Sequence, residues 1–183
     1  MTLPRTVLRF AAAAAALSFA LAASAELASI GGADVTFRAI GPAGMKIDGS
    51  SEKLSASEAG GKLTILAPLT NLKTGIGLRD KHLRGYLKTD KHPQATLAVE
   101  RSKLKEPGDG QTVTGRARGD FTLNGVTKPV DFKYTAKRTG SDYHVQGLTK
   151  IDIRDFKVEV PCYLGVCVEP EVSIKVKFKL RDK

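Results

Sequence analysis

Three histidines, two cysteines and one crowded Arg-Asp-x-His run are the residues of this chain with chemistry to offer. His82, His92 and His144 are dispersed. Acyl transfer needs a nucleophile, a base and an orienting group, and no histidine belongs to a G-x-S-x-G elbow or an H-E-x-x-H pair. No catalytic residue and no metal-ligand set is therefore assigned. His82 and His92 could meet across a short helix to hold a metal or a haem; loop histidines bonded to backbone are the plainer reading. In Arg79-Asp80-Lys81-His82 the aspartate can accept from backbone amides at a helix start or pair with Arg84 four residues on. Arg79, His82 and Arg84 are candidate contacts for an anionic headgroup.

Cys162 and Cys167 enclose four residues, with Gly165 suited to the turn. A redox-active pair would favour C-x-x-C spacing and a soft metal site would favour a nearby histidine; neither is present. In an oxidising compartment the pair reads as a structural disulfide, worth roughly 1–2 kcal/mol because the loop is short.

The N-terminus supports such a compartment. Arg5 and Arg9 precede the apolar run from Phe10 to Ala22, and Ala23-Ser24-Ala25 has the A-x-A pattern of a signal-peptidase site. The run is short for a membrane span. Residues 1–25 are expected to be a cleaved secretory signal peptide, residues 26–183 one domain, and the destination the periplasm. No cysteine follows the cleavage site to carry a lipid anchor. The formal net charge of +10 drops to +8 without Arg5 and Arg9. Such a balance favours anionic partners, of which an acidic membrane surface fits an exported protein and nucleic acid does not.

The elements that must position these residues follow from period-two alternation. Leu63, Ile65, Ala67 and Leu69 share one strand face, as do Val130, Phe132, Tyr134 and Ala136. Val172, Ile174, Val176, Phe178 and Leu180 alternate with Ser173, Lys175, Lys177 and Lys179. Turn signals separate the runs, and Asn124-Gly125 is a strong hairpin signal. One short helix is expected near 78–87. Many strands with one buried face indicate an all-β fold, an antiparallel barrel or sandwich.

One strand bears on the interior. In Thr112 to Leu123 the inward set would be Val113, Gly115, Ala117, Gly119, Phe121 and Leu123, with three consecutive small residues. Glycine there marks either tight coiling of the sheet or close approach of a ligand, and eight-stranded barrels can be filled or can hold one small ligand. The expected cavity lining is Val113, Gly115, Ala117, Gly119, Phe121, Val145 and Gly147.

Three ordered motifs add a resemblance. Leu72-Lys73-Thr74-Gly75 followed by Arg79-Asp80-Lys81-His82-Leu83, then Lys91-His92-Pro93-Gln94-Ala95-Thr96-Leu97, then Gly119 to Val130 (GDFTLNGVTKPV) resemble the signature of the YceI-like family over nearly all of the mature length. The chain departs from that pattern at His92, where an aromatic is usual, and at Arg154-Asp155-Phe156-Lys157, which lacks the glycine of the family's R-x-D-F-G. The resemblance implies a lipocalin-like antiparallel barrel of about eight strands with an apolar tunnel for a polyisoprenoid or quinone-like lipid, and no required cofactor. Transport, storage or a stress response in the periplasm would suit such a protein, as a monomer or a homodimer. A haem- or quinone-associated redox accessory protein and a ligand-free basic module for membrane surfaces are the alternative readings.

Overall fold

The computed structural model describes residues 26–183, so the expected signal peptide lies outside the described residues. In chain order the strands are β1 (Leu27–Ser29), β2 (Asp34–Ile40), β3 (Lys46–Ser51), β4 (Ser55–Ala59) and β5 (Lys62–Pro68). After the helix α1 (Gly77–Tyr86) come β6 (Gln94–Glu100), β7 (Thr112–Leu123), β8 (Val126–Thr139) and β9 (Asp142–Asp152). A small hairpin, β10 (Cys162–Tyr163) with β11 (Val166–Cys167), precedes the last strand, β12 (Glu171–Asp182). The helix predicted near 78–87 is present, one residue earlier.

Every pairing is antiparallel, and the ring closes because β12 is long enough to take two partners along one edge. Leu180 to Asp182 pair with β1, while Val172 to Lys177 pair with β2. β1 in turn pairs with β4, and β2 with β3. Each of β1–β2 and β3–β4 thus acts as one broken strand. With β5, β6, β7, β8, β9 and β12 they make a closed barrel of eight strands. The alternation has a plain physical reading: side chains one residue apart point to opposite faces, so each strand buries one row and solvates the other. On β7 that row runs Val113 to Leu123, as its spacing predicts.

Antiparallel strands place alternate connections at the same end of the barrel. Residues 41–45, 69–93, 124–125 and 153–170 all lie at one end, which therefore carries both α1 and the hairpin β10–β11. These connections tie to one another. Ser50 and Lys73 exchange backbone hydrogen bonds of 2.9 Å, so the loop before α1 extends the barrel wall beside β3. The Asn124–Gly125 turn is left-handed at both residues, with φ of 50° and 73°, as a two-residue hairpin requires. Its Asn124 side chain donates to the carbonyls of Phe156 and Lys157.

The opposite end is sealed. Phe178, Leu180 and Tyr143 are buried there. Arg101 donates to Glu58 at 2.8 Å and grips Glu106 with two bonds of 2.6 and 2.8 Å. Glu58 also accepts the Leu27 amide at 3.1 Å. The Tyr134 hydroxyl hydrogen-bonds the Lys105 backbone, drawing the β6–β7 loop over the barrel.

The small face of β7, which the sequence leaves open between close sheet packing and interior space, meets protein at Gly115 and Gly119. A Cβ on Gly115 would come 2.6 Å from the ring of Tyr134, and one on Gly119 would come 2.8 Å from the Ala98 carbonyl oxygen. These glycines admit an aromatic ring and a neighbouring strand. Gly119→Ala is therefore expected to destabilise the fold by roughly 1–3 kcal/mol, because the obstruction is backbone and cannot swing away. Urea unfolding measures this; an unchanged midpoint would mean that β6 and β7 are not so tightly apposed.

Candidate functional site

A cavity of about 650 Å³ extends into the barrel from its helix end. Its walls are the inward rows of the strands: Phe37 from β2, Ile65 and Ala67 from β5, Leu97 from β6, Val130 and Phe132 from β8, Val145 from β9, and Ile174 and Val176 from β12. Apart from the buried Phe132, these side chains are partly accessible although they face inward, because they border open space. Deeper in, Val99, Leu104, Tyr134 and Phe178 close it. Such a volume lies within the range of small-molecule sites, which are predominantly apolar with a few placed polar groups.

Those polar groups sit at the helix end. Thr74, Arg79 and His82 border the cavity, with Tyr86 on the same helix. Leu78, Lys81, His82 and Gly85 form the exposed face of α1, as spacings of three and four residues require. Asp80 fixes the helix to its preceding loop. Its Oδ1 accepts from both the Thr74 amide and the Thr74 hydroxyl at 2.6 Å. The Thr74 hydroxyl bond, then the amide bond, hold the carboxyl below its ordinary range against the opposing effect of desolvation. This tie is fully present above the ordinary carboxylate value and is lost only as pH falls through the lower folded value. The Asp80–Arg84 pair expected as one alternative does not form. Asp80 takes the other, an amide near the helix start.

The residues singled out from sequence divide. Phe121, Val145 and Gly147 line the cavity, whereas Val113, Gly115, Ala117 and Gly119 are not among its lining residues. Tyr134 stands over Gly115, and the β6 backbone stands against Gly119. Arg79 and His82 line the mouth; Arg84, half-buried on α1, does not. Cys162 and Cys167 are joined in a disulfide that closes the β10–β11 hairpin, and Cys162 and Val166 border the cavity. His92 sits against Gly125, where a Cβ would meet its ring at 2.5 Å, so it packs on the hairpin turn and does not share the cavity with His82. Among the described residues no cluster of three or more histidines, cysteines or carboxylates is placed to hold a metal.

Sequence reasoning missed Thr74, Met45, Ile47, Val166 and most of the inward wall. Alternation marked Ile65, Ala67, Ile174 and Val176 as inward. It carries no signal for whether an inward row meets another side chain or open space.

Lys157 occupies the position where the family motif has glycine, and its φ is 55°, in the left-handed region. It caps the short helical turn Ile153–Phe156, with its amide donating to the carbonyls of Arg154 and Ile153. A lysine there carries the steric cost that a glycine avoids. Lys157→Gly is expected to stabilise the fold by roughly 0.5–1 kcal/mol after glycine's greater unfolded-state entropy is subtracted. A higher urea midpoint is the expected reading, and a lower one would show that the lysine side chain contributes more than its backbone strain removes.

The geometry has relatives. Protein YceI of Escherichia coli is 35% identical over 124 residues, 61% of this chain and 60% of that protein. A UPF0312 protein of Yersinia pestis is 38% identical over 97 residues, 52% of this chain and 47% of that one. The chain thus matches about three-fifths or less of the length of these relatives. Among solved structures, a polyisoprenoid binding domain from Saccharophagus degradans superposes with a TM-score of 0.74 at 16% identity, covering 87% of this chain and 99% of that one. BcnA of Burkholderia cenocepacia gives 0.65 at 18% identity, covering 80% and 95%. At such identities the likeness is one of fold. The model of the YceI-like domain spans residues 23–180, the whole barrel from before β1 into β12, and the chain belongs to the YceI-like domain family.

Proposed function

We propose that this chain is an exported binding protein that holds a polyisoprenoid, or a similar apolar-tailed lipid, in its barrel. The observation that carries the reading is the cavity itself: about 650 Å³, with apolar walls along the strands and Arg79, His82 and Thr74 at its helix end. A long hydrocarbon tail with a polar head fits that distribution, the tail inside and the head beside α1. The polyisoprenoid binding domain of similar fold supports the choice of tail. Burial supplies about 0.8 kcal/mol per carbon, so a five-carbon isoprene unit contributes about 4 kcal/mol before ordering costs. A few units suffice for tight binding. Head contacts then orient the ligand, and selection by tail length is loose.

On this reading residues 1–25 direct export and are removed, residues 26–183 bind, and the protein carries or stores lipid in the periplasm without a catalytic step. The test is native mass spectrometry of mature protein purified gently from a periplasmic fraction, with fragmentation of any ejected ligand. A stoichiometric adduct with isoprene-spaced fragments is the expected result. A bare mass that persists after incubation with a polyprenyl phosphate would overturn it.

A further inference from the structure

The apolar side chains left exposed by this barrel are concentrated at one end. Met45, Ile76, Leu78, Leu164 and Val166 are five of seven large exposed hydrophobics among the described residues. All five lie in connections at the helix end. Leu164 at the hairpin tip is 85% exposed and Leu78 on α1 is 65% exposed. Met45 and Val166 themselves border the cavity, and Leu78 adjoins Arg79, which also does. The apolar rim and the mouth of the cavity are therefore one surface.

Charge on that surface is uneven. Between Lys73 and Lys91 six lysines and arginines stand with two aspartates, and Asp80 is engaged by Thr74. Six of the nine arginines in the described residues pair with carboxylates, Arg154 of the hairpin connection among them. Arg79 and Arg84 of α1 are among the three with no ion pair to a described residue. The hairpin connection supplies apolar reach with little net charge: Glu159 and Glu169 are its exposed carboxylates, and Asp155 is paired with Lys128.

We propose that the helix end of the barrel docks on an anionic phospholipid surface, with Leu164 and Leu78 inserted among the acyl chains and the cations of α1 against the phosphates. Apolar tips beside lysine and arginine are the composition that holds a peripheral protein at the interface. The orientation faces the cavity mouth toward the bilayer, so a tail could pass from lipid to barrel without crossing water. This inference rests on the lipid-holding reading above and adds to it a surface and its partner.

The experiment uses the mature protein with vesicles of phosphatidylethanolamine and phosphatidylglycerol, scored by co-sedimentation. Uptake of a polyprenyl phosphate from detergent micelles is measured in parallel. Wild-type protein is expected to sediment with these vesicles, to be released by salt, and to bind phosphatidylcholine vesicles weakly. L78D with L164D is expected to weaken vesicle binding at least tenfold while loading from micelles as wild type does. L164D alone changes only an exposed tip and is expected to show part of the loss, which keeps the test sound if the double variant is unstable. I30D, an exposed apolar change away from the mouth, is expected to bind vesicles as wild type does. Equal vesicle binding by L164D and wild type overturns the proposal, as does wild-type protein that loads from micelles yet ignores vesicles. Vesicle binding without micelle loading would support the docking surface and overturn the lipid-holding reading instead.

Discussion

Ala67→Phe combined with Val145→Phe is expected to lower retained lipid at least tenfold while leaving the barrel folded. The two positions belong to β5 and β9, which are four strands apart in a ring of eight and so face each other across the cavity. Two added rings would occupy the middle of the tunnel. If they displace even one isoprene unit, about 4 kcal/mol of gross burial is lost, against 1.4 kcal/mol for a factor of ten. Both side chains pack against the core on one side and border the cavity on the other, so the added rings have open space to enter. The thermal midpoint is expected to move by less than about 5 °C. Native mass spectrometry after loading with a polyprenyl phosphate gives the occupancy. Wild-type occupancy in the folded variant would place the ligand outside this cavity.

Arg101→Met is expected to destabilise the fold by about 3–5 kcal/mol, the usual consequence of removing one partner from a buried ion pair. The Glu58 side chain is only 3% exposed and that of Arg101 10%, so water cannot replace the lost cation. Glu106 loses its partner as well, though it is largely solvated. Adding Glu58→Gln should restore most of the loss, since glutamine keeps an acceptor for the Leu27 amide and carries no charge. Urea unfolding of the single and double variants measures both effects. A loss below about 1 kcal/mol would mean that the closed end does not depend on this cluster. Acid offers a second reading. The hydrogen bond from Arg101 holds the Glu106 carboxyl below its ordinary value of 4.5, against desolvation. Its contribution is present above 4.5 and disappears as pH falls through the folded value. Wild-type stability should fall over that interval more steeply than that of Arg101→Met, which has already lost the interaction.

Much of the barrel was legible in the chain because alternation is a local property. The inward row of β7, the Asn124–Gly125 turn and the helix at Gly77–Tyr86 each follow from neighbours within a few residues. The motifs around Thr74 to Leu97 and Gly119 to Val130 pointed to the family for the same reason. They are turn and cap chemistry: Thr74 with Asp80, His92 on Gly125, Asn124 on the Phe156 carbonyl. The sequence run offers Arg79, His82 and Arg84 together; the structure sets Arg79 and His82 at the cavity and Arg84 away from it, a difference that helix orientation decides and the sequence run does not.

The lining was less legible. Gly115 and Gly119 are inward and small, which reads equally as room for a ligand and as room for a neighbour. The choice belongs to Tyr134, nineteen residues from Gly115 in sequence, and to Ala98 on the adjacent strand. The space that exists lies elsewhere, between rows contributed by β2, β5, β6, β8, β9 and β12. By itself the sequence determined an all-β chain, the inward faces of the longer strands, the Asn124–Gly125 turn and a short basic helix, because each depends on side-chain alternation or on the backbone needs of single residues. Only the tertiary structure decided that β12 closes the ring, that Arg101 with Glu58 and the ring of Tyr134 seal one end, and that the cavity opens beside α1 and the disulfide hairpin, because each depends on which distant rows face one another and whether they meet.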